Sequence, residues 1–178
     1  MDNSMTQATA KAARLALMGF DVDGVLTDGT LYFGPGGDEI KGFSSLDGHG
    51  LKMLQRAGIE VVIISGRSSQ ALAQRARNLD VRELHMGVAD KRTLLGQLAA
   101  ERGIDLSRTG YMGDDVVDLP VLRACGFSAS VADGHPEVLS RVDYVAGKGG
   151  GCGAVREVCD LILRAQGKWD AAMAEYLA

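Results

Sequence analysis

Short apolar runs alternate along this chain with longer segments whose apolar residues recur every three to four positions, and that alternation narrows the choice of fold more than any other feature. The runs Leu17–Phe20, Glu60–Ile64, Glu83–His85, Thr109–Met112 and Phe127–Ser130 are strand-sized. Leu94, Leu95, Leu98 and Ala99 share one helical face, as do Val155, Val158, Leu161, Ile162 and Ala165. Strands joined through helices must run parallel, because a parallel pair needs a long crossover that packs back on the sheet. The pattern therefore predicts an α/β fold, a Rossmann-like parallel sheet with helices on both faces.

One segment breaks the alternation. Residues 30–33 and 39–43 flank Gly34-Pro35-Gly36-Gly37, a turn able to take positive φ, which predicts a β-hairpin insertion after the first strand. A hairpin is marginal alone in water, so it must pack on something, and its outer edge is free to pair with another subunit. After Gly167, the residues Trp169, Met173, Tyr176 and Leu177 predict a short amphipathic helix or arm at about 168–178. No repeat, low-complexity tract or linker divides the chain, so 1–178 is read as one domain.

Acidic residues outnumber basic ones, giving a net charge of −4, and the pI near 5.3 offers no general attraction to nucleic acid or to an anionic membrane. The strongest apolar stretch, residues 61–64, is far shorter than the roughly 18 to 20 residues a membrane span requires. The apolar segment before Asp21 carries no cleavage pattern, and Cys125, Cys152 and Cys159 are an odd set without C-x-x-C spacing. These features predict a cytoplasmic protein with free, mostly buried thiols. His49, His85 and His135 stand singly, so no zinc ligand set is visible.

The chemistry gathers at strand ends. The first strand runs into Asp21-Val22-Asp23-Gly24, where alternation along the strand is expected to point Asp21 and Asp23 the same way, and the strand Thr109–Met112 runs into Gly113-Asp114-Asp115-Val116-Val117-Asp118. Open α/β sheets bind ligands at that rim. If the two strands are neighbours, up to five carboxylates converge. Two negative charges ~4 Å apart cost about 4 kcal/mol at an effective dielectric of about 20, so the cluster must bind a cation or hold protons. An all-oxygen ligand set favours Mg²⁺. Ser65-Gly66-Arg67 at the end of the most apolar strand and Lys91 at the start of a helix suit an anion brought to that metal. Taken singly, each feature has a bland reading: Asp-x-Asp as a loop, Ser-Gly as a turn, Lys91 as a solvated helix residue, Asp118 as an N-cap. In this chain order, each at a strand end or a helix start, they read as one constellation.

Asp21-x-Asp23-Gly24-x-x-Thr27-Asp28, Ser65, Lys91 and Gly113-Asp114-Asp115-x-x-Asp118 together resemble the haloacid dehalogenase superfamily of phosphatases, in its capless subgroup. More narrowly, Asp23 to Gly29, Asp47-Gly48-x-Gly50, Val131-Ala132-Asp133-x-His135-Pro136 and Gly153 to Asp160 are similar to members acting on a phosphorylated eight-carbon keto-sugar acid, over roughly residues 17–168. The resemblance implies that Asp21 attacks phosphorus and that Asp23 protonates the leaving alkoxide and then activates water. It implies Mg²⁺ held by Asp21, the carbonyl of Asp23 and Asp114, with Asp115 or Asp118 in support. It implies too that Ser65 and Lys91 hold phosphoryl oxygens, with Gly66 and Arg67 on the substrate side. It further implies a homotetramer assembled through hairpins, with C-terminal arms approaching a neighbour's site, in the pathway supplying lipopolysaccharide core sugar.

Spacing adds that no lid domain fits between Asp23 and Ser65 or between Ser65 and Lys91, so the site is expected to be open. The chain departs from the family at Ser65, where Thr is common, and at Leu46, where Arg is common; Arg67 and Arg156 are left as candidates for a substrate carboxylate. The glycine-rich run at 147–153 lacks nucleotide-loop spacing and is expected to form a flexible flap. Two alternatives stay open. One is a phosphatase of a nine-carbon sialic-acid-type 9-phosphate. The other is a receiver-like signalling domain, against which Lys91 preceding Asp114 argues.

Overall fold

A computed structural model gives the fold and describes residues 3–177. Helix α1 (Asn3–Ala12) leads into β1 (Leu17–Phe20), followed by the hairpin strands β2 (Tyr32–Phe33) and β3 (Glu39–Ile40) and by α2 (Ser45–Arg56). Then come β4 (Glu60–Ile64), α3 (Gln70–Asn78), β5 (Glu83–His85), α4 (Lys91–Glu101) and β6 (Thr109–Met112). The chain closes with α5 (Leu119–Leu122), β7 (Phe127–Ser130), α6 (Pro136–Leu139), β8 (Tyr144–Val145), α7 (Ala154–Ala165) and α8 (Trp169–Leu177). The ends of the expected 1–178 domain, Met1, Asp2 and Ala178, lie outside the described residues.

The main sheet has the order β5-β4-β1-β6-β7-β8 and every pairing in it is parallel. Its two faces follow from the pleat, which sends alternate side chains to opposite sides. Met18, Phe20, Val61, Ile63 and Met112 join α1, α2, α3 and α7 in one core. Leu17, Val62, Ile64 and Tyr111 join α4, α5 and α6 in the other. The two helical stripes read from the sequence point inward as expected: Leu95, Leu98, Ala99, Val155, Val158 and Ile162 are buried, while Leu94, Leu161 and Ala165 lie at the stripe edges, partly buried.

Among the elements unseen in the sequence are β8 and α1, besides the one-turn helices α5 and α6. Strand β8 is two residues long and has no apolar run of its own. Helix α1 is alanine-rich, so its buried face, Ala8 and Ala12, carries no large apolar stripe to detect. The hairpin is shorter than expected, with only Tyr32 opposite Ile40 and Phe33 opposite Glu39. Its turn closes by Gly37 N–H donating to the Gly34 carbonyl at 2.9 Å. Leu31, Tyr32, Phe33 and Ile40 are exposed on it, Phe33 by 62%.

The C-terminal segment is a helix lying on its own chain's α2 and α7. The Arg164 guanidinium stacks over Trp169 at 3.8 Å, Arg56 pairs with Glu175 at 2.6 Å, and Tyr176 meets His49 edge-on. The segment is thus helical over Trp169–Leu177, one of the two forms expected for it. No helix among the described residues is long and apolar enough to cross a membrane.

Candidate active site

Because β1 and β6 are adjacent, with Phe20 in register with Met112, both acid-bearing loops leave the same rim of the sheet. The backbone N–H of Asp21 still donates to the Met112 carbonyl at 2.9 Å, which holds the two loops together at their start. Carboxylate oxygens of Asp21, Asp114 and Asp118 all lie within 4.8 Å of one another. Lys91, the first residue of α4, reaches in with its ammonium 2.8 Å from Asp21 Oδ1 and 2.7 Å from Asp118 Oδ1. Its helix is started by Asp90, whose carboxylate accepts the Thr93 N–H.

Three carboxylates converge, where the sequence allowed five. Asp118 is fully buried, and its Oδ2 accepts the N–H groups of Asp114 and Asp115 at 3.2 and 3.4 Å, so the loop is wound around it. It makes no side-chain cap for the following helix. Asp115 turns away to accept the Val116 N–H at 2.7 Å. Of the two supporting carboxylates left open by the sequence, the one beside Asp21 and Asp114 is Asp118. Asp23 lies past the end of β1, where strand alternation no longer governs direction, and its carboxylate faces the hairpin instead.

The electrostatics of the cluster call for a cation. Burial pushes the Asp21 carboxyl up, the negative charge of Asp118 adds to that, and Lys91 only partly opposes it. Asp114 is raised to about 7 by burial, with Asp118 and Asp115 adding repulsion. Asp114 Oδ1 is buried and has no hydrogen-bond partner among the described residues. An orphaned carboxylate oxygen beside two more carboxylates is a donor set that fits Mg²⁺. Position 24 must be glycine here: its φ is 89°, and a Cβ would fall 2.1 Å from Asp114 Oδ2.

Ser65 is buried at the end of β4, with its N–H donating to the His85 carbonyl and its own carbonyl accepting the Val88 N–H. Its hydroxyl accepts the Arg67 N–H at 3.1 Å. Gly66 and Arg67 are exposed beside it. The Arg67 guanidinium bonds Glu39 at 2.7 Å and lies 3.9 Å from Asp23 Oδ2. Lys41, just past β3, bonds both Asp23 and Glu39. Sequence reasoning missed Lys41 and Glu39. The available signal was their spacing, since residues two apart on a strand share a face, here the one opposite the exposed Ile40. Burial pulls the Lys41 ammonium down, and its bonds to Asp23 and Glu39 more than offset this, leaving its pKa raised.

The remaining motifs have structural work. Asp47 is buried and accepts the N–H groups of Gly153 and Arg156 at 3.2 and 2.8 Å, capping α7, whose own N-cap glycine has no side chain to do so. The Arg156 guanidinium pairs with Asp160 on the same helix at 2.7 Å. The glycine-rich segment at 147–153 is strapped down at several points. Gly151 N–H donates to the Val25 carbonyl at 2.9 Å, Gly150 N–H to Asp133 at 3.0 Å, and the Lys148 carbonyl accepts the Ala132 N–H. The Asp114 carbonyl accepts the His135 N–H at 2.7 Å, so the Val131-to-Pro136 motif joins the strap to the acidic loop. All three cysteines are free, but Cys152, within the strap, is exposed. Only the hairpin, α2 and β4 separate Asp23 from Ser65, and only α3 and β5 separate Ser65 from Lys91, so the described elements include no lid. Leu46, in the first turn of α2, is 54% exposed.

The haloacid dehalogenase-like hydrolase family matches residues 83–155. The 3-deoxy-D-manno-octulosonate 8-phosphate phosphatase of Escherichia coli (strain K12) is 44% identical over 163 residues, 92% of this chain and 87% of that one. A crystal structure of the phosphatase of that name from Moraxella catarrhalis, in complex with magnesium ion, phosphate ion and a KDO molecule, superposes with a TM-score of 0.94 at 42% identity, covering 97% of this chain and 99% of that one. The cobalt-bound deoxy-D-mannose-octulosonate 8-phosphate phosphatase of Haemophilus influenzae gives a TM-score of 0.87 at 43% identity, covering 90% and 94%.

Proposed function

From a chain that belongs to the haloacid dehalogenase-like hydrolase family, and within it to the branch of the 3-deoxy-D-manno-octulosonate 8-phosphate phosphatases, we infer a Mg²⁺-dependent phosphomonoesterase that hydrolyses that sugar phosphate through an aspartyl-phosphate on Asp21. The observation that carries the reading is the Asp21–Lys91–Asp118 contact beside the orphaned oxygen of Asp114. A carboxylate paired with a fixed ammonium and facing a cation-demanding cluster is built to meet a phosphate dianion.

In the first step a carboxylate oxygen of Asp21 bonds to phosphorus as the bond to the sugar oxygen breaks, and Asp23 delivers its proton to that departing alkoxide. In the second, Asp23 takes a proton from water, the water oxygen bonds to phosphorus, and the acyl-phosphate bond breaks to return Asp21 as a carboxylate. Lys91 and the Ser65 hydroxyl hold the non-bridging oxygens, with backbone N–H at Gly66 beside them. Arg67, on the exposed side, takes the substrate carboxylate. The carboxylates of Asp21 and Asp114 and the carbonyl of Asp23 would hold Mg²⁺, with Asp118 supporting. When bound, the ion supplies positive charge against the phosphoryl oxygens.

The sugar acid released serves lipopolysaccharide core synthesis in the cytoplasm. Residues 1–178 act as one catalytic domain with a C-terminal arm, assembled as a homotetramer through the apolar face of the hairpin. The reading is tested by phosphate release from 3-deoxy-D-manno-octulosonate 8-phosphate and, in parallel, from a nine-carbon sialic-acid-type 9-phosphate, each with Mg²⁺ and with EDTA. Metal-dependent preference for the first is expected. Preference for the second would keep the mechanism and reassign the sugar, and release from neither would overturn the reading.

A further inference from the structure

The hairpin does more than offer an exposed apolar face, because its inner end enters the site. The Lys41 side chain is only 2% exposed, and a buried ammonium is retained only where partners replace its lost hydration. Here the partners are Asp23 Oδ1 and Glu39, and Glu39 is itself held by Arg67 at 2.7 Å. Asp23 Oδ2 lies 3.9 Å from Arg67 Nε and makes no hydrogen bond among the described residues. One oxygen of the carboxylate is thus anchored while the other is left open at the rim. Asp23 has two rotatable side-chain bonds, and a group that must meet a departing alkoxide and then a water needs its orientation held between the two events.

We propose that Lys41 is the positioning residue for Asp23, pinning Oδ1 so that Oδ2 is the oxygen that carries the proton. The proposal rests on the reading of Asp23 as acid and base given above. It makes docking of the hairpin on the body a condition for proton transfer, since Lys41 can reach Asp23 only with the hairpin in place.

The test compares two esters through kcat/KM, which reports steps up to the first bond cleavage. The sugar phosphate leaves as an alkoxide and needs a proton. 4-Nitrophenyl phosphate leaves as a stabilised phenolate and does not. Lys41→Met, or Lys41→Gln should the methionine variant not fold by circular dichroism, is expected to lose about 10- to 100-fold on the sugar phosphate and only a few-fold on the nitrophenyl ester. Lys41→Arg is expected to regain most of the loss. Equal losses on both esters, or no loss on either, in a folded variant overturn the proposal while the wild type's own turnover leaves the phosphatase reading standing. A wild type that releases phosphate from neither ester removes both.

Discussion

Asp21 and Asp23 are two positions apart and carry the same functional group, yet their neighbours differ completely. Asp21 shares a buried cluster with Asp114, Asp118 and Lys91, whereas Asp23 meets the cations Lys41 and Arg67. Replacing Asp21 by Asn keeps the shape and removes the nucleophile. Phosphate release should vanish with the circular dichroism spectrum intact, and turnover near wild type would refute the assignment. The raised carboxyls of Asp21 and Asp114 make a second prediction. A carboxyl whose folded pKa is raised keeps its proton up to that pKa, so it favours the folded state below it and costs stability as pH rises through about 7. A cation relieves that cost and must displace the proton below it. The rise in Tm on adding Mg²⁺ should therefore be larger near about pH 8 than near about pH 5.5. An equal rise at both would show that these groups are not the ligands. Asp21, Ser65, Lys91 and Asp114 could be read from the sequence because each sits within two residues of a strand end or at a helix start. Lys41 and Glu39 offered only their two-residue spacing, which puts them on one face of the hairpin, while what that face packs against is written in no local pattern.

Among the elements, α2 ties the N-terminus of α7 to itself through Asp47, beside the apolar contact of the two helices. The Asp47 carboxylate supplies the two acceptors that the N-terminus of α7 needs and that Gly153 cannot. Asp47→Ala should leave those N–H groups buried without partners and cost about 2 kcal/mol, read as a fall in Tm of about 4–8 °C. A variant melting with the wild type would show that water replaces the cap. The same principle explains which elements could be seen beforehand. β1, β4, β6 and β7 lie inside the sheet and are almost wholly buried, so their boundaries show in the sequence pattern, while β5 at one edge is half-buried and was marked by its place between two helical segments. β8 at the sheet's edge and the alanine-rich α1 are specified mainly by what they pack against. The segment at 147–153 shows the converse. Its glycines suggest mobility, but Gly150 and Gly151 let the backbone approach the loop at 24–28, where a Cβ on Gly150 would fall 2.0 Å from the Gly24 carbonyl oxygen.

At the level of the whole molecule, the exposed Leu31, Tyr32, Phe33 and Ile40 form an apolar surface on a hairpin too small to stand alone. Phe33→Glu should lower the molar mass measured by light scattering, and an unchanged mass would assign assembly to another face. The C-terminal helix has its own partners in Arg56, Arg164 and His49. Truncation after Gly167 should lower Tm with KM nearly unchanged, whereas a raised KM with unchanged melting would reveal an arm that serves a neighbouring subunit. The sequence by itself determined the parallel sheet, the rim on which the chemistry gathers and most of the residues there, because burial period and strand-end position are local properties of the chain. Only the tertiary structure decided which carboxylates meet, that Asp23 turns to the hairpin, and that Lys41 waits for it there. Those depend on side chains brought together from positions far apart, where packing and charge pairing choose the direction each one takes.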